Sequence, residues 1–408
     1  MRIAYLFTTF PKPSESFLQR EINGLADLPT TNLSLFSLFG GCGATFNRFP
    51  LKHFDLKDIL RLPLRFLNEL IRSPEAFLEL SKLYDNSPPK CPINLLENLL
   101  GVAFAISYAE RFRKNPPDLI HAVWATAPAA AALTLSMLTR IPYSMEAHAY
   151  DIHRSGGDCL LKEKGLRARF IRTSTQSAQS HLIRKGIPEK SISLIRRSLP
   201  NIPDSNPARR TSNRRHLLSV GRLIEKKGYA EQLNFYKTLK NRNIQFSAKI
   251  IGHGPLASPL ESIIKRLELS DCVEMCGHQS YAEIERTYQQ WADIFIFTGK
   301  ISSSGDRDGF PNVLAEAMAA GLPILTRDVA GISEAIQDKV TGIILRGESS
   351  IEWSHQFEHL MANPILQDSI KANALEWVKQ HFAVSENSAR LVELFTRSQF
   401  KEPSSPHT

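Results

Sequence analysis

Short apolar strands alternating with helices of about ten residues predict an α/β chain of two Rossmann-like, doubly wound parallel-sheet domains with a cleft between them. The alternation is clean from Leu217 to Leu345. A looser version opens and closes the first half. Between them Pro200, Pro203, Asp204, Ser205, Asn206 and Pro207 lead into a basic Ser/Asn/Arg run ending at Arg215, the composition of a linker. In such sheets ligands bind beyond the carboxyl ends of the strands, so the loops after Val220, Ile251 and Phe297 should open on the cleft.

In the first half a strand is predicted over 2–8. A helix follows from about Ser16, with Ser16 and Gln19 as a capping box and Phe17, Ile22 and Leu25 starting its apolar face. Leu33–Leu38 reads as the second strand. From about 46 to 112 Leu and Phe mix with Arg and Lys at helical intervals, which predicts an amphipathic, basic helical insert. Surface helices packed on a core fit this pattern, and so does a membrane-interface surface with cations toward lipid phosphates. Strand character returns at Asp118–Ala122, an Ala-rich helix covers 126–138, and strands follow at 141–148, near Ile171 and over 191–196.

The second half reads as strands at 217–220, 246–251, 273–275, 293–297, 323–325 and 342–345, separated by helices. The predicted division is 1–200, with the insert, then a linker over 201–215, a second domain over 216–380, and a C-terminal helix with a polar, disordered tail over 381–408.

Apolar residues make up 42% and charged residues 22%, a soluble globular balance, and the net charge of +9 favours anionic partners. Met1–Phe7 is too short for a signal peptide, and no stretch is expected to reach the ~20 apolar residues of a membrane helix. Cys42, Cys91, Cys159, Cys272 and Cys276 are scattered and odd in number, which fits reduced thiols in the cytoplasm.

The stretch Gly305 to Gly321 carries the strongest chemical signal. Pro311 suits a first helical turn, Gly321 suits the position past the helix end, and Val313, Leu314, Ala317 and Met318 keep helical spacing. Asp308 then lies in the entry loop and Glu316 within the helix, on either side of an N-terminus that suits a phosphate. An ordinary loop and helix with a buried Glu and a solvated Asp fits the same residues. Arg222 and Lys227 follow the Val220 strand end, where two cations suit a diphosphate, although a solvated basic loop reads alike. Gly252 and Gly254 allow a ligand to approach the backbone closely, a weak signal alone. His148 ends a first-half strand, where it could donate to a sugar hydroxyl or a developing anion. His355 and His359 have ligand spacing but no third ligand, so no metal site is predicted.

Taken together, Val220-Gly221-Arg222…Lys227-Gly228, Ile251-Gly252-x-Gly254-Pro255-Leu256, Ala292-Asp293-Ile294-Phe295 and Asp308-Gly309-Phe310-Pro311-x4-Glu316-Ala317-Met318-Ala319-x-Gly321-x-Pro323 resemble the retaining GT-B glycosyltransferases of family 4. Phe10-Pro11-x-x-Ser14-Glu15-Ser16-Phe17 and His148-Ala149-x-Asp151 extend a looser likeness, toward the bacterial exopolysaccharide branch, across the first half. The resemblance implies the GT-B fold and a metal-independent hexosyltransferase that keeps the anomeric configuration. It implies a UDP- or GDP-sugar donor and no bound cofactor. The acceptor would be a glycan or a polyprenyl-diphosphate-linked intermediate, used in the cytoplasm or peripherally at the inner membrane face, against an anionic surface.

By the same resemblance Glu316 binds ribose hydroxyls and Asp308 donor-sugar hydroxyls, with Gly309, Phe310, Pro311, Asn312 and Val313 offering backbone groups to sugar and diphosphate. Arg222 and Lys227 would neutralise the leaving diphosphate, and His148 would contact the sugar from the other domain. The sequence departs from the family at Asp308, where Glu is usual, and at Thr8–Pro13 and Ile195–Ser198, where glycines are usual. Two other readings stand beside this one. A glycosyl phosphorylase of the same fold lacks an evident lysine for a pyridoxal cofactor. A basic nucleic-acid-binding protein lacks a clear set of stacking aromatics among its cations.

Overall fold

The structure is a computed structural model and describes residues 1–89, 91–206 and 215–399. Most of the predicted linker, 207–214, and the predicted tail from Lys401 lie outside the described residues. The chain divides into two compact units, Met1–Ser198 joined by the C-terminal helix from Val384, and Leu199–Ala383.

In the first unit the strands are β1 (Arg2–Phe7), β2 (Asn32–Ser37), β3 (Thr45–Phe46), β4 (Phe49–His53), β5 (Leu119–Ala122), β6 (Tyr143–Glu146), β7 (Ile171–Thr173) and β8 (Ile192–Leu194). They form one sheet in the order β3-β4-β2-β1-β5-β6-β7-β8, parallel except for the β3–β4 pair. Both faces are covered, and β1 shows how. Ala4 and Leu6 enter one apolar cluster, while Ile3, Tyr5 and Phe7 enter the other. Such two-sided burial is what a near-continuous apolar strand encodes.

Several expectations change here. The insert begins with β3 and β4 rather than helices: Phe49 and Leu51 are buried and Pro50 exposed, a period of two, and Leu51 pairs with Leu35. Ser16 does not cap its helix. Glu15 holds the cap position, and Gln19 donates instead to the Lys12 carbonyl at 3.2 Å. The helix Pro92–Lys114 is long and apolar enough to cross a membrane, against the expectation that no stretch would be, and half of its apolar window is buried within the unit. It packs along the Ala-rich helix Ala127–Thr139. The C-terminal helix Val384–Gln399 is no separate appendage. Its Phe395 ring lies against Tyr5, His121 and Phe170, so it completes one face of the first sheet.

The second unit has β9 (Arg215–Val220), β10 (Phe246–Ile251), β11 (Val273–Gly277), β12 (Ile294–Phe297), β13 (Ile324–Thr326) and β14 (Ile343–Ile344) in the parallel order β11-β10-β9-β12-β13-β14. The order reverses between β9 and β12, the switch point at which such sheets bind ligands. Along β12 the alternation is again two-sided: Ile294 and Ile296 enter one core, Phe295 and Phe297 the other.

Candidate active site

The loops after β9, β10 and β12 meet at the carboxyl ends of the second sheet's strands. The Gly221 N–H donates to the Ile251 carbonyl at 3.0 Å, and the Lys300 N–H to the Lys226 carbonyl at 2.9 Å. Gly252, with φ +151°, lies so close to the β9 loop that a Cβ there would stand 1.9 Å from the Gly221 carbonyl oxygen. The glycine thus allows a close approach to the loop carrying Arg222. Gly228 (φ +68°) does the same on the other side, where a Cβ would stand 1.9 Å from the Thr298 carbonyl oxygen. The two contacts fix the loop between Gly221 and Gly228.

That loop presents Lys227, whose Nζ lies 2.7 Å from Asp308 Oδ2 and 5.1 Å from the Phe297 ring centroid. Lys226 Nζ lies 3.4 Å from Asp308 and 3.0 Å from Asp306, while Arg222 is exposed beside them. Three cations therefore face two carboxylates. Burial pushes the Asp308 carboxyl up, but Lys227, Lys226 and Arg222 outweigh it and hold it at about 2. Burial pushes Lys227 down, Lys226 and Arg222 reinforce this, and Asp308 offsets only part. The Asp308 shift reports the surrounding positive charge, and the Lys227 shift reports mainly burial; a buried ammonium among further cations suits an anion.

The helix after Asp308 runs Asn312–Ala319. Pro311 is not in its first turn but at the cap position, with extended backbone, and its side chain offers the helix no cap hydrogen bond. Its first N–H groups are left to other partners. Gly309 is buried, and its carbonyl accepts from the Gly331 N–H at 3.0 Å. Phe310 packs on Trp377 and Phe382, so its ring serves the core. Val313 is half-buried and its carbonyl accepts from the Tyr288 hydroxyl at 3.4 Å. Glu316 is half-buried on the same helix. His355 is on another helix and accepts from Arg242 at 3.0 Å.

His148 belongs to the first unit, at the carboxyl end of β6. Its Nε2 lies 2.9 Å from Glu146 Oε2. Burial, reinforced by Arg197, lowers the His148 pKa, and Glu146 offsets only part, so the ring is neutral at neutral pH. Nε2–H then donates to Glu146, and Nδ1, buried without a partner among the described residues, is left as an acceptor. The sequence reading expected a donor here. Asp151 is structural: its carboxylate takes the N–H groups of His148, Ala149 and Ala125 at 2.8–3.1 Å.

Behind His148 lies a network that motif reading missed. Glu146 Oε1 is 2.7 Å from Arg172, and Oε2 is 2.8 Å from Arg197. Both arginines also pair with Glu21, which accepts from the Tyr5 hydroxyl at 2.8 Å. Burial raises the Glu146 carboxyl, but Arg197, Arg172 and hydrogen bonds from His121 and His148 together hold it well below the ordinary glutamate value. Glu21 sits in a helix, Glu146 ends β6, Arg172 is the middle residue of β7 and Arg197 follows β8, so no spacing in the sequence links them.

The comparisons bear on the second unit first. Residues 203–377 match the glycosyl transferases group 1 family. Both loops of the candidate site fall inside this group 1 match. The chain is 40% identical over 126 residues to the amylovoran biosynthesis glycosyltransferase AmsK of Erwinia amylovora, 31% of each chain. It is 30% identical over 162 residues to the putative colanic acid biosynthesis glycosyltransferase WcaL of Escherichia coli (strain K12), 40% of each. These stretches span less than half the length of either relative. The crystal structure of Anabaena Alr3699/HepE in complex with UDP and glucose superposes with a TM-score of 0.69 at 16% identity, covering 97% of this chain and 100% of that one. The fold is GT-B.

Proposed function

We propose that the chain is a retaining, metal-independent glycosyltransferase of family 4 that transfers a hexosyl unit from a UDP- or GDP-sugar to a glycan or polyprenyl-diphosphate-linked acceptor in exopolysaccharide synthesis. The observation that carries this reading is the Lys227–Asp308 pair beside an uncapped helix start, with Lys226 and Arg222 adding positive charge. As the bond between the sugar C1 and the diphosphate oxygen breaks, negative charge grows on the diphosphate. Lys227, Arg222 and the helix N-terminus meet it, the work a divalent ion does elsewhere. Asp308 holds the lysines in place and accepts from a sugar hydroxyl. Gly309, Phe310, Pro311, Asn312 and Val313 line the sugar and diphosphate with backbone. His148 accepts from a donor-sugar hydroxyl through Nδ1. The polysaccharide functions named for AmsK and WcaL, and the UDP named for the Anabaena protein, support the substrate class. A lipid-carried acceptor would place the enzyme at the cytoplasmic face of a membrane.

A panel of UDP- and GDP-sugars tests this by thermal stabilisation and donor hydrolysis. At least one donor should give both, and a panel that gives neither defeats the reading. Glu316→Ala should lower kcat/KM about a hundredfold, about 3 kcal/mol for two hydroxyl contacts to a carboxylate, with the circular dichroism of the folded protein retained. Nucleotide affinity should also depend on pH. A diphosphate favours the Lys227 ammonium, so affinity is greatest below that group's pKa and falls as pH rises through it. Because burial and the neighbouring cations lower this pKa, the fall begins below the ordinary lysine value. Titrations of UDP across alkaline pH should show it, and Lys227→Arg should remove it.

A further inference from the structure

The helices Leu56–Leu60 and Leu62–Arg72 carry their polarity inside out. Leu56, Leu60, Leu64, Leu67 and Ile71 follow at helical spacing and are 69%, 73%, 65%, 53% and 73% exposed. Arg61 joins the two helices in helical backbone, and the Arg65 N–H reaches the Arg61 carbonyl at 3.1 Å, so the stripe is unbroken. Asp58, Arg65 and Glu69 turn toward the body of the unit, while Lys57, Arg61 and Arg72 stay exposed. Glu69 is buried and takes both arms of Arg113, and Arg65 pairs with Asp58 at 2.8 Å. Single exposed leucines are ordinary on soluble surfaces; a five-residue stripe backed by buried ion pairs is not.

Behind the stripe, between Leu62–Arg72 and the end of Pro92–Lys114, lies a groove of about 710 Å³. Arg65, Arg72, Arg111 and Lys114 line it against Glu69 and Glu110. Arg111 forms no ion pair among the described residues, and the Ser107 hydroxyl at the groove wall is buried without a hydrogen-bond partner among them. Beside the stripe Lys57 and Arg61 are exposed, also without ion pairs among the described residues. Excess cations next to an apolar face match an anionic lipid surface. They disfavour a second copy of this chain, whose own Lys57 and Arg61 would be brought to the same interface.

We propose that this face seats the protein on an anionic phospholipid bilayer. The stripe from Leu56 to Ile71 enters the interfacial layer, and the groove behind it takes a lipid phosphate. The seat deepens the reading of a lipid-carried acceptor, but its evidence is this face alone.

Flotation at low salt, with phosphatidylcholine vesicles with and without phosphatidylglycerol, tests it. The protein should float with the anionic vesicles and be released by salt. Leu60→Ser/Leu64→Ser/Leu67→Ser should lower partitioning at least about tenfold. Arg72→Glu/Arg111→Glu should remove most of the preference for phosphatidylglycerol. Failure of the wild type to float with anionic vesicles, or flotation of the serine variant like wild type, overturns the seat. So does a dimer in light scattering that the serine variant makes monomeric, which assigns the stripe to a second copy. Nucleotide-sugar stabilisation, read on the same samples, separates the two claims. Flotation without it sustains the seat and defeats the transferase reading; stabilisation without flotation does the reverse.

Discussion

Lys227→Ala is expected to abolish measurable transfer, lowering kcat/KM by about three orders of magnitude, or about 4 kcal/mol of transition-state stabilisation. The same variant should melt close to wild type. Burial lowers the Lys227 pKa despite Asp308 at 2.7 Å, so the ammonium gains little from folding. Asp308 keeps Lys226, at 3.4 Å, when Lys227 is removed. A charge that contributes little to stability, in a cluster already rich in cations, supports the proposal that its partner arrives with the substrate. Donor hydrolysis and a melting curve on one preparation check both halves. Lys227→Arg should recover only part of the rate, because a planar fork does not place its charge where an ammonium does.

Arg172→Ala should have the larger effect on stability. Arg172 is buried, bridges Glu21 and Glu146, and donates to the carbonyls of Ile195 and Arg196 at 3.2 Å each. Removing it leaves two buried carboxylates to share Arg197. Breaking such a network costs about 3–5 kcal/mol. For a unit of this size that lowers Tm by about 10 °C. The penalty depends on pH. Glu146 is held well below its ordinary value in the folded state, so its contribution is present above the unfolded carboxyl pKa and is lost as pH falls toward the folded one. Wild type and variant should therefore converge in acid and differ most near neutrality. Calorimetry at several pH values would show this. His148, which donates to Glu146, should lose its fixed orientation, so the variant's residual activity should fall as well.

Much of the fold is legible in the sequence because parallel strands buried on both faces are written as short apolar runs, as Ile294–Phe297 is. What was misread shares a cause: local pattern does not state tertiary context. Phe49–His53 was read as helix because Leu and Phe also stand at helical intervals nearby. The Ser16 cap fails because the short turn Pro13–Glu15 runs straight into the helix and puts Glu15 at the cap position. Helical spacing correctly groups Leu60, Leu64 and Leu67 on one face, but periodicity cannot say whether that face points in or out. In the second unit the candidate residues lie in two loops whose spacing was readable, and the structure brings Lys227 and Asp308 together. Lys226 went unremarked, because its reach toward Asp306 and Asp308 depends on how the Gly228 turn sets the loop. The Glu21, Glu146, Arg172 and Arg197 network was invisible for a further reason. Its members are far apart in sequence and meet only through the strand order β1-β5-β6-β7-β8.

The loops after β9 and β12, with the helix Asn312–Ala319, are expected to bind a nucleoside diphosphate. Calorimetric titration of UDP and GDP into wild type, Lys227→Ala and Glu316→Ala, with a single-stranded RNA as comparison, tests it most directly. Saturable wild-type affinity for at least one nucleotide is expected, weakened at least about tenfold in each variant, with only weak, salt-abolished affinity for RNA. No saturable nucleotide binding, equal affinity in both variants, or RNA binding stronger than nucleotide binding would contradict it.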